Sequence, residues 1–364
     1  MALGIGIIGC GNISGIYFQN GARFKNLRLL ACADQVMQRA QDAAVQYGVK
    51  ALSVDDLLAH PEIDAVLNLT VPLSHAEISL RALAAGKHVY SEKPFGVTRE
   101  EGQSIAAEAH SRGLSLGSAP DTFLGAGLQT CRQLIEHGAI GTPVSATAFM
   151  TCHGHEGWHP DPQFYYLPGG GPMLDMGPYY LTALVHLMGP VSQVAGMASA
   201  ALTERTVGSG PKLGTRFPVQ VETHVAGVLQ FESGAIATVI TSFDIWAANL
   251  PCLEVHGTEG SLSVPDPNTF GGPVRLFRPE NGWKDVVLTH GFADNSRGLG
   301  LADMADSLEN GRPARASGAL ALHVLDAMQC FAESARSGSF SSIRCKTMQP
   351  APLGLGEAES WLLP

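Results

Sequence analysis

Leu3-Gly4-Ile5-Gly6-Ile7-Ile8-Gly9-Cys10-Gly11-Asn12-Ile13-Ser14 is an apolar run that ends in a glycine-rich turn. Leu3 to Ile8 reads as a strand buried on both faces, since parallel strands covered by helices carry continuous apolar sequence. The turn has the form of a dinucleotide-binding fingerprint, with Ser14 at the third glycine position. Gly9 permits the tight turn. Gly11 lets the backbone approach a pyrophosphate, and the helix that follows aims its first N–H groups at the anion. Ser14 needs only to be small, Ile13 completes the turn, and Asn12 adds a side-chain donor near the phosphates. A lone glycine pattern also fits a plain strand-to-helix turn, so the sequence around it has to decide.

Leu27 to Ala33 reads as a second strand and ends at Asp34, 20 positions after Ser14. An acid at that spacing accepts hydrogen bonds from ribose hydroxyls and repels a 2′-phosphate, which favours NAD over NADP. Arg39 softens that preference. Asp34 also has the form of a helix N-cap for Gln35 onward. Helices are expected over Gln35–Tyr47, from Ser53 through Ala59, over Ser74–Ala85 and from Thr98 to Arg112, the last with Glu101 at the capping-box position. Strands are expected at Ala65–Thr70, His88–Ser91 and Leu114–Ala119. This alternation implies a doubly wound parallel sheet, with ligands beyond the carboxyl ends of its strands. Asn68-Leu69-Thr70-Val71-Pro72 and Glu92-Lys93-Pro94 both follow strands, so both face the cofactor. His75, at the start of the next helix, reads as a packing or orienting residue beside it.

The glycine turn, Thr70-Val71-Pro72 with His75, and Ala85-Gly86-Lys87-His88-Val89 leading into Glu92-Lys93-Pro94 resemble the Gfo/Idh/MocA oxidoreductase family, that of glucose–fructose oxidoreductase and inositol dehydrogenase. The resemblance implies an N-terminal Rossmann domain (1–120) and a C-terminal α+β domain (121–364) with a large open, mainly antiparallel sheet. It implies a cofactor site from Gly9, Gly11, Asn12, Ile13, Asp34, Arg39, Thr70, Pro72, His75, Glu92 and Lys93. By the same analogy Lys93 contacts the reacting oxygen. Gly169-Gly170-Gly171-Pro172-Met173-Leu174-Asp175-Met176-Gly177-Pro178-Tyr179 matches the family's Asp-x-Gly-x-His segment, with Asp175 on the aspartate. Tyr179 stands where most members have histidine, a departure at a catalytic position.

Lys93, Tyr179 and Asp175 are therefore the candidate catalytic residues. Hydride transfer at an alcohol carbon needs a proton acceptor and positive charge for the developing oxyanion. Lys93 suits the second role. Tyr179 suits the first, with the lysine ammonium favouring the phenolate. On a helix, Asp175 and Tyr179 are neighbours at i and i+4. Cys152-His153-Gly154-His155-Glu156-Gly157-Trp158-His159 reads as a sugar-recognition loop, placing His153, His155, Trp158 and His159 with Lys93, Asp121, Asp175 and Tyr179 in the substrate site. A metal site from His153, His155, Glu156 and His159 is the weaker reading, because the His-Glu-x-x-His spacing at 155–159 lies in a loop between Gly154 and Pro160 and not on the helix that pattern needs. No metal is expected.

Further on, Val221–Gln230 with Ala235–Phe243, and Cys252–His256 with Gly260–Val264, read as hairpins of the large sheet. The polar stretch His290–Gly300 suits closure of the pocket. The formal net charge of -10 argues against a nucleic-acid surface. Seven cysteines without a Cys-x-x-Cys pair suit a reducing compartment, and no apolar run reaches the length of a membrane span. The chain thus reads as a cytoplasmic NAD(P)-dependent sugar or polyol oxidoreductase, assembled as a homodimer or homotetramer through its C-terminal sheet. The competing readings are a catalytically silent dinucleotide-binding regulator and a redox-neutral glycoside lyase or hydrolase.

Overall fold

The computed structural model describes residues 2–364. Six strands, β1 (Leu3–Ile8), β2 (Leu27–Ala33), β3 (Lys50–Ala51), β4 (Ala65–Asn68), β5 (His88–Ser91) and β6 (Leu116–Ser118), form one parallel sheet in the order β3-β2-β1-β4-β5-β6. Helices α1 (Ser14–Gly21), α2 (Met37–Tyr47), α3 (Val54–Ala59), α4 (His75–Ala84) and α5 (Arg99–Arg112) alternate with them. This is the Rossmann order, and it reverses between β1 and β4. Ile5, Ile7, Ile8, Ala65, Val66 and Leu67 are buried, as strands covered on both faces require. Ser53 and Thr98 cap α3 and α5, accepting from the N–H groups of Asp56 and Glu101. Helix α2 starts two residues later than the spacing suggested, at Met37, because Asp34 turns the chain by accepting from Val36 N–H.

The second part of the chain begins with a 3₁₀ turn at Thr122–Leu124, then α6 (Ala126–Glu136), β7 (Pro143–Thr151), α7 (Pro172–Met188) and β8 (Val191–Ser199). Gly125 separates the turn from α6 and abuts Phe270: a Cβ there would lie 2.5 Å from the Phe270 carbonyl oxygen. A small pair follows, β9 (Glu204–Thr206) and β10 (Arg216–Pro218). After it come β11 (His224–Phe231), β12 (Ile236–Ser242), β13 (Leu253–Gly257), β14 (Ser261–Val264), β15 (Val274–Arg278) and β16 (Gly282–Val286). Helices α8 (Leu299–Asn310) and α9 (Gly318–Ser337) and strand β17 (Ser341–Ser342) complete the main elements.

Nine strands form the second sheet in the order β16-β15-β14-β13-β7-β12-β11-β8-β17, antiparallel at every pairing except β12 with β7. Ala146, Ala148 and Met150 alternate inward along β7, while α7 and α9 cover that face. The opposite face carries Met197, Val228, Ile236 and Trp283, all exposed.

The two sheets are tied at several points. Gly117 bridges Ser317 beside β6, and Phe24 bridges Leu362. Arg99 of α5 pairs with Asp326 of α9 in the interior, at 2.6 Å. The last residues thus return to the first domain, and the chain after residue 120 wraps the Rossmann sheet as well as building its own.

Candidate active site

Gly9 follows β1 at φ 103°, where a Cβ would lie 2.5 Å from the Leu69 carbonyl oxygen. Only glycine fits that close approach. At Gly11 a Cβ would meet nothing within 4 Å. The backbone there faces open space, as a pyrophosphate cradle at the start of α1 demands. A cavity of about 280 Å³ adjoins this turn, walled by Gly9, Gly11, Asp34, Arg39, Thr70 and Arg81. The residues present therefore fit an adenine dinucleotide. Asp34 is fixed in place: Oδ2 accepts from Cys10 N–H at 2.9 Å and Oδ1 from Val36 N–H at 2.8 Å. Arg81 is paired with Asp55 at 2.6 Å, and Arg39 lines the same cavity as the Asp34 carboxylate. Asn12 lines a neighbouring open groove with Tyr47, His159 and Phe164.

Four residues of the expected cofactor set also make internal contacts that shape the site. The Ile13 side chain packs into the core. Pro72 opens a 3₁₀ turn, Pro72–Ser74, whose flanks Val71 and Ser74 form the cavity wall. His75 is buried, with Nδ1 2.8 Å from the Pro94 carbonyl oxygen and Nε2 2.9 Å from that of Thr70. It clamps the turn after β4 to the turn after β5. Glu92 is also buried: Oε1 accepts from the Tyr17 hydroxyl and Oε2 from Lys93 N–H, both at 2.8 Å. Both residues position the Lys93 turn, where the Lys93–Pro94 peptide bond is cis.

Lys93 reaches out of that turn to α7. Its Nζ donates to Asp175 Oδ1 at 2.8 Å and to the Asp175 backbone oxygen at 2.7 Å. Burial alone would weaken the ammonium, but Asp175, Tyr179 and Glu92 together hold its pKa above the ordinary lysine value. Burial likewise opposes ionisation of Asp175, yet Lys93 and His155 keep its carboxyl well below the usual range. Helix α7 starts at Pro172. Gly171 at φ 90° and proline in the first turn set that start. Asp175 and Tyr179 thus share one helix, with Pro178 inside it. The Tyr179 ring centroid lies 5.2 Å from Lys93 Nζ.

Tyr179 differs from its sequence reading in one respect. Its pKa is raised, because burial outweighs the pull of Lys93 and Arg297 and Glu92 adds to the rise. The group is a phenol, not a phenolate. Arg297 was missed as a site residue: its Nη2 donates to the Tyr179 hydroxyl at 3.4 Å and to Asn268 Oδ1 at 2.9 Å. Only the polarity of residues 290–300 hinted at it.

The imidazole-rich loop divides. His155 Nε2 lies 3.0 Å from Asp175 Oδ2, so Asp175 bridges Lys93 and His155. His153 stacks on Trp246, His159 packs against Phe164 and Tyr165, and Trp158 is exposed. Glu156 turns away to bond Tyr166 and Arg205, which fixes the loop from beneath. Among the described residues, no group of three or more His, Cys, Asp or Glu stands where it could hold a metal ion. Asp121 is not in the pocket. It is 1% exposed, and its Oδ2 caps α8 by accepting from Gly298 and Gly300 N–H at 2.8 and 2.9 Å. Burial raises its pKa to about 6. A helix N-terminus needs that acid, which the sequence position alone did not disclose.

A dinucleotide turn, a lysine held as ammonium at the end of β5 and an acid–phenol pair on α7 define a two-domain nicotinamide-dependent oxidoreductase. Residues 3–119 match the oxidoreductase family with an NAD-binding Rossmann fold, and residues 128–263 match the GFO/IDH/MocA C-terminal domain. The chain belongs to the Gfo/Idh/MocA family. It is 29% identical to 1,5-anhydro-D-fructose reductase of Ensifer adhaerens over 71% of this chain and 74% of that protein. It is 26% identical to D-glucoside 3-dehydrogenase of Escherichia coli, over 85% of this chain and 89% of that protein. Among solved structures, apo levoglucosan dehydrogenase superposes with a TM-score of 0.81 at 22% identity, covering 95% of this chain and all of that one. No helix among the described residues is long and apolar enough to cross a membrane.

Proposed function

We propose that this chain transfers hydride between a nicotinamide and a hydroxyl or keto carbon of a sugar, glycoside or cyclitol, with NAD preferred. The observation that carries the reading is the Lys93–Asp175 pair, 2.8 Å apart and next to the Tyr179 phenol, beyond the same sheet edge as the glycine turn. The nicotinamide supplies the hydride acceptor or donor. Lys93 holds the substrate oxygen by a charge-assisted hydrogen bond and stabilises negative charge that builds on it. Asp175 keeps the lysine ionised and aimed. Tyr179, kept as a phenol, is a second donor toward that oxygen. The names of the relatives, reductases and dehydrogenases of sugars, support the substrate class.

NAD is favoured because Asp34 is held ready at the ribose end of the cavity, where its charge opposes a 2′-phosphate, and Arg81 is already paired. The exposed Met197, Val228, Ile236 and Trp283 support self-association through the second sheet. The test is a panel of sugars, glycosides, cyclitols and sugar ketones with each cofactor, following nicotinamide absorbance, alongside Lys93→Ala and Tyr179→Phe. Turnover on one class, lost in Lys93→Ala while cofactor binding persists, supports the reading. Unchanged turnover in both variants sinks the roles assigned to them.

A further inference from the structure

We propose that His155, not Tyr179, accepts the carbinol proton, with Asp175 fixing the ring for that task. The inference rests on the oxidoreductase reading above and names a residue that reading leaves unassigned.

Asp175 is acceptor-only, so whichever imidazole nitrogen faces it carries the proton. That nitrogen is His155 Nε2, 3.0 Å from Oδ2. The lone pair is then on Nδ1, which has no hydrogen-bond partner among the described residues. The same carboxylate binds Lys93 through its other oxygen. One acid thus fixes both the lysine assigned to the substrate oxygen and the His155 ring. The base comes from the loop after β7 rather than from α7.

Elimination leads to the same residue. The other imidazoles of the loop, His153 and His159, pack on Trp246 and on Phe164 and Tyr165 rather than on Asp175, and several neighbours of the pair are unfit to take a proton near neutrality. Lys93 is held as ammonium and Asp175 as a strongly acidic carboxylate. Tyr179 is kept as a phenol. Tyr165, whose ring packs edge-on 4.2 Å from the His155 ring, is pushed up to about 12 by burial. Cys152 is held as a thiol, chiefly by burial. Both oxygens of Glu92 are engaged, and Asp244 beyond Phe243 is paired with Arg205. Trp158 and Phe243, the other rings against His155, do not titrate. Imidazole is the side chain whose ordinary range lies near neutrality. Side-chain exposures of 12% for His155 and 17% for Asp175 leave the ring accessible to a ligand yet largely shielded from water.

In the oxidation direction the carbinol C–H bond breaks, and its electron pair leaves as hydride to the oxidised nicotinamide. The O–H bond breaks toward His155 Nδ1, and its electron pair becomes the second bond of the carbonyl. The products are ketone, reduced nicotinamide and imidazolium, which returns its proton to solvent. Reduction runs the same transfers backwards, with imidazolium as the acid.

The experiment pairs a pH profile with a measurement that needs no turnover. In the full-length protein without cofactor, the tautomer of the neutral His155 ring is read by nitrogen NMR in wild type and in Asp175→Asn. The wild-type ring is expected to show the tautomer with the proton on Nε2 and the lone pair on Nδ1, and Asp175→Asn to lose that preference, because the carboxylate only accepts. In the assay, kcat/KM for oxidation is expected to rise tenfold per pH unit below the imidazole midpoint. His155→Asn keeps an N–H for Asp175 but cannot titrate. It should lose that limb and about 10²–10⁴-fold in rate. Tyr179→Phe should be slower yet keep the limb. A wild-type ring protonated on Nδ1, or a His155→Asn profile that retains the limb, overturns the proposal. Loss of the limb in Tyr179→Phe alone returns the role to the phenol and also overturns it. A wild-type protein inert on every carbinol and ketone defeats the underlying reading, and this proposal with it.

Discussion

Replacing Lys93 and Asp175 singly and together separates what their ion pair does for stability from what it does for chemistry. The two side chains are 16% and 17% exposed, with Nζ 2.8 Å from Oδ1 and 2.7 Å from the backbone oxygen of the same residue. Lys93→Met leaves the Asp175 carboxylate in a nearly closed pocket with His155 as its remaining partner. Removing one member of a fully buried pair costs about 3–5 kcal/mol. The residual exposure and the retained imidazole bring the expected loss to about 2 kcal/mol. Asp175→Leu strands the ammonium against a backbone oxygen alone and should cost about 2–3 kcal/mol. The double variant leaves no unpaired charge, so its loss should be about 1 kcal/mol or less, a coupling of roughly 3 kcal/mol. Turnover should not follow that recovery. All three variants should lose about 10²–10⁴-fold, because the donor to the reacting oxygen, or what aims it, is gone in each. Urea unfolding of the four proteins and a nicotinamide absorbance assay measure both quantities. Additive stability losses would refute the pair. Turnover within tenfold of wild type in Lys93→Met, or restored in the double variant, would refute the place given to the lysine.

Three further outcomes follow from other parts of the molecule. Asp34→Ala removes a fixed negative charge from the cavity wall and, on the proposed reading that Asp34 meets the ribose, should improve NADP relative to NAD by about tenfold or more, read as a ratio of kcat/KM values; an unchanged ratio would overturn that contact. Tyr17→Phe leaves Glu92 Oε1 buried without its donor and should cost about 1–3 kcal/mol in urea unfolding, and a neutral result would contradict the burial of that hydrogen bond. His75 and His186 have imidazole pKa values lowered mainly by burial, so below the unfolded value near 6.5 the unfolded chain binds more protons than the folded one. Their contribution is therefore whole above about pH 6.5 and lost as the pH falls through it toward the folded values, by at most about 1.4 kcal/mol per pH unit for each ring. Stability that is flat between about pH 7.5 and 5.5 would refute this.

The first 120 residues were legible because their signals are local. Parallel strands buried on both faces read as apolar runs, and Ser53, Thr98 and Gly113 mark helix ends by chemistry that acts within one turn. The second sheet was legible where strands alternate and short turns join them, as in β11–β12 and β13–β14. Strands β8, β15 and β16 were not seen. Their burial patterns lack a regular period, since β15 and β16 lie at the sheet margin with mostly open side chains. The start of α7 was hidden because Gly169-Gly170-Gly171-Pro172 reads as a turn until the positive φ of Gly171 and the proline in the first helical turn are seen together.

The site divides along the same line, and the dividing point is chemical. Lys93 and Asp175 sit in a strand-end turn and a helix, where a short motif carries them, and they meet at 2.8 Å. His155 and Arg297 sit in irregular segments whose course is set by buried partners far off in sequence. Glu156 is held by Arg205 in one case, and α8 is capped by Asp121 in the other. No spacing rule encodes those contacts. The sequence therefore points to Tyr179 as the lone replacement for the family's histidine and reads the nearby ammonium as favouring phenolate. In the folded chain the cost of charging a phenol that is 6% exposed exceeds the help from Lys93 and Arg297, and the tyrosine stays protonated. The departure at position 179 thus need not leave the active site without an imidazole. It shifts that group from α7 to a loop, against the same aspartate, and leaves the helix position to a hydrogen-bond donor.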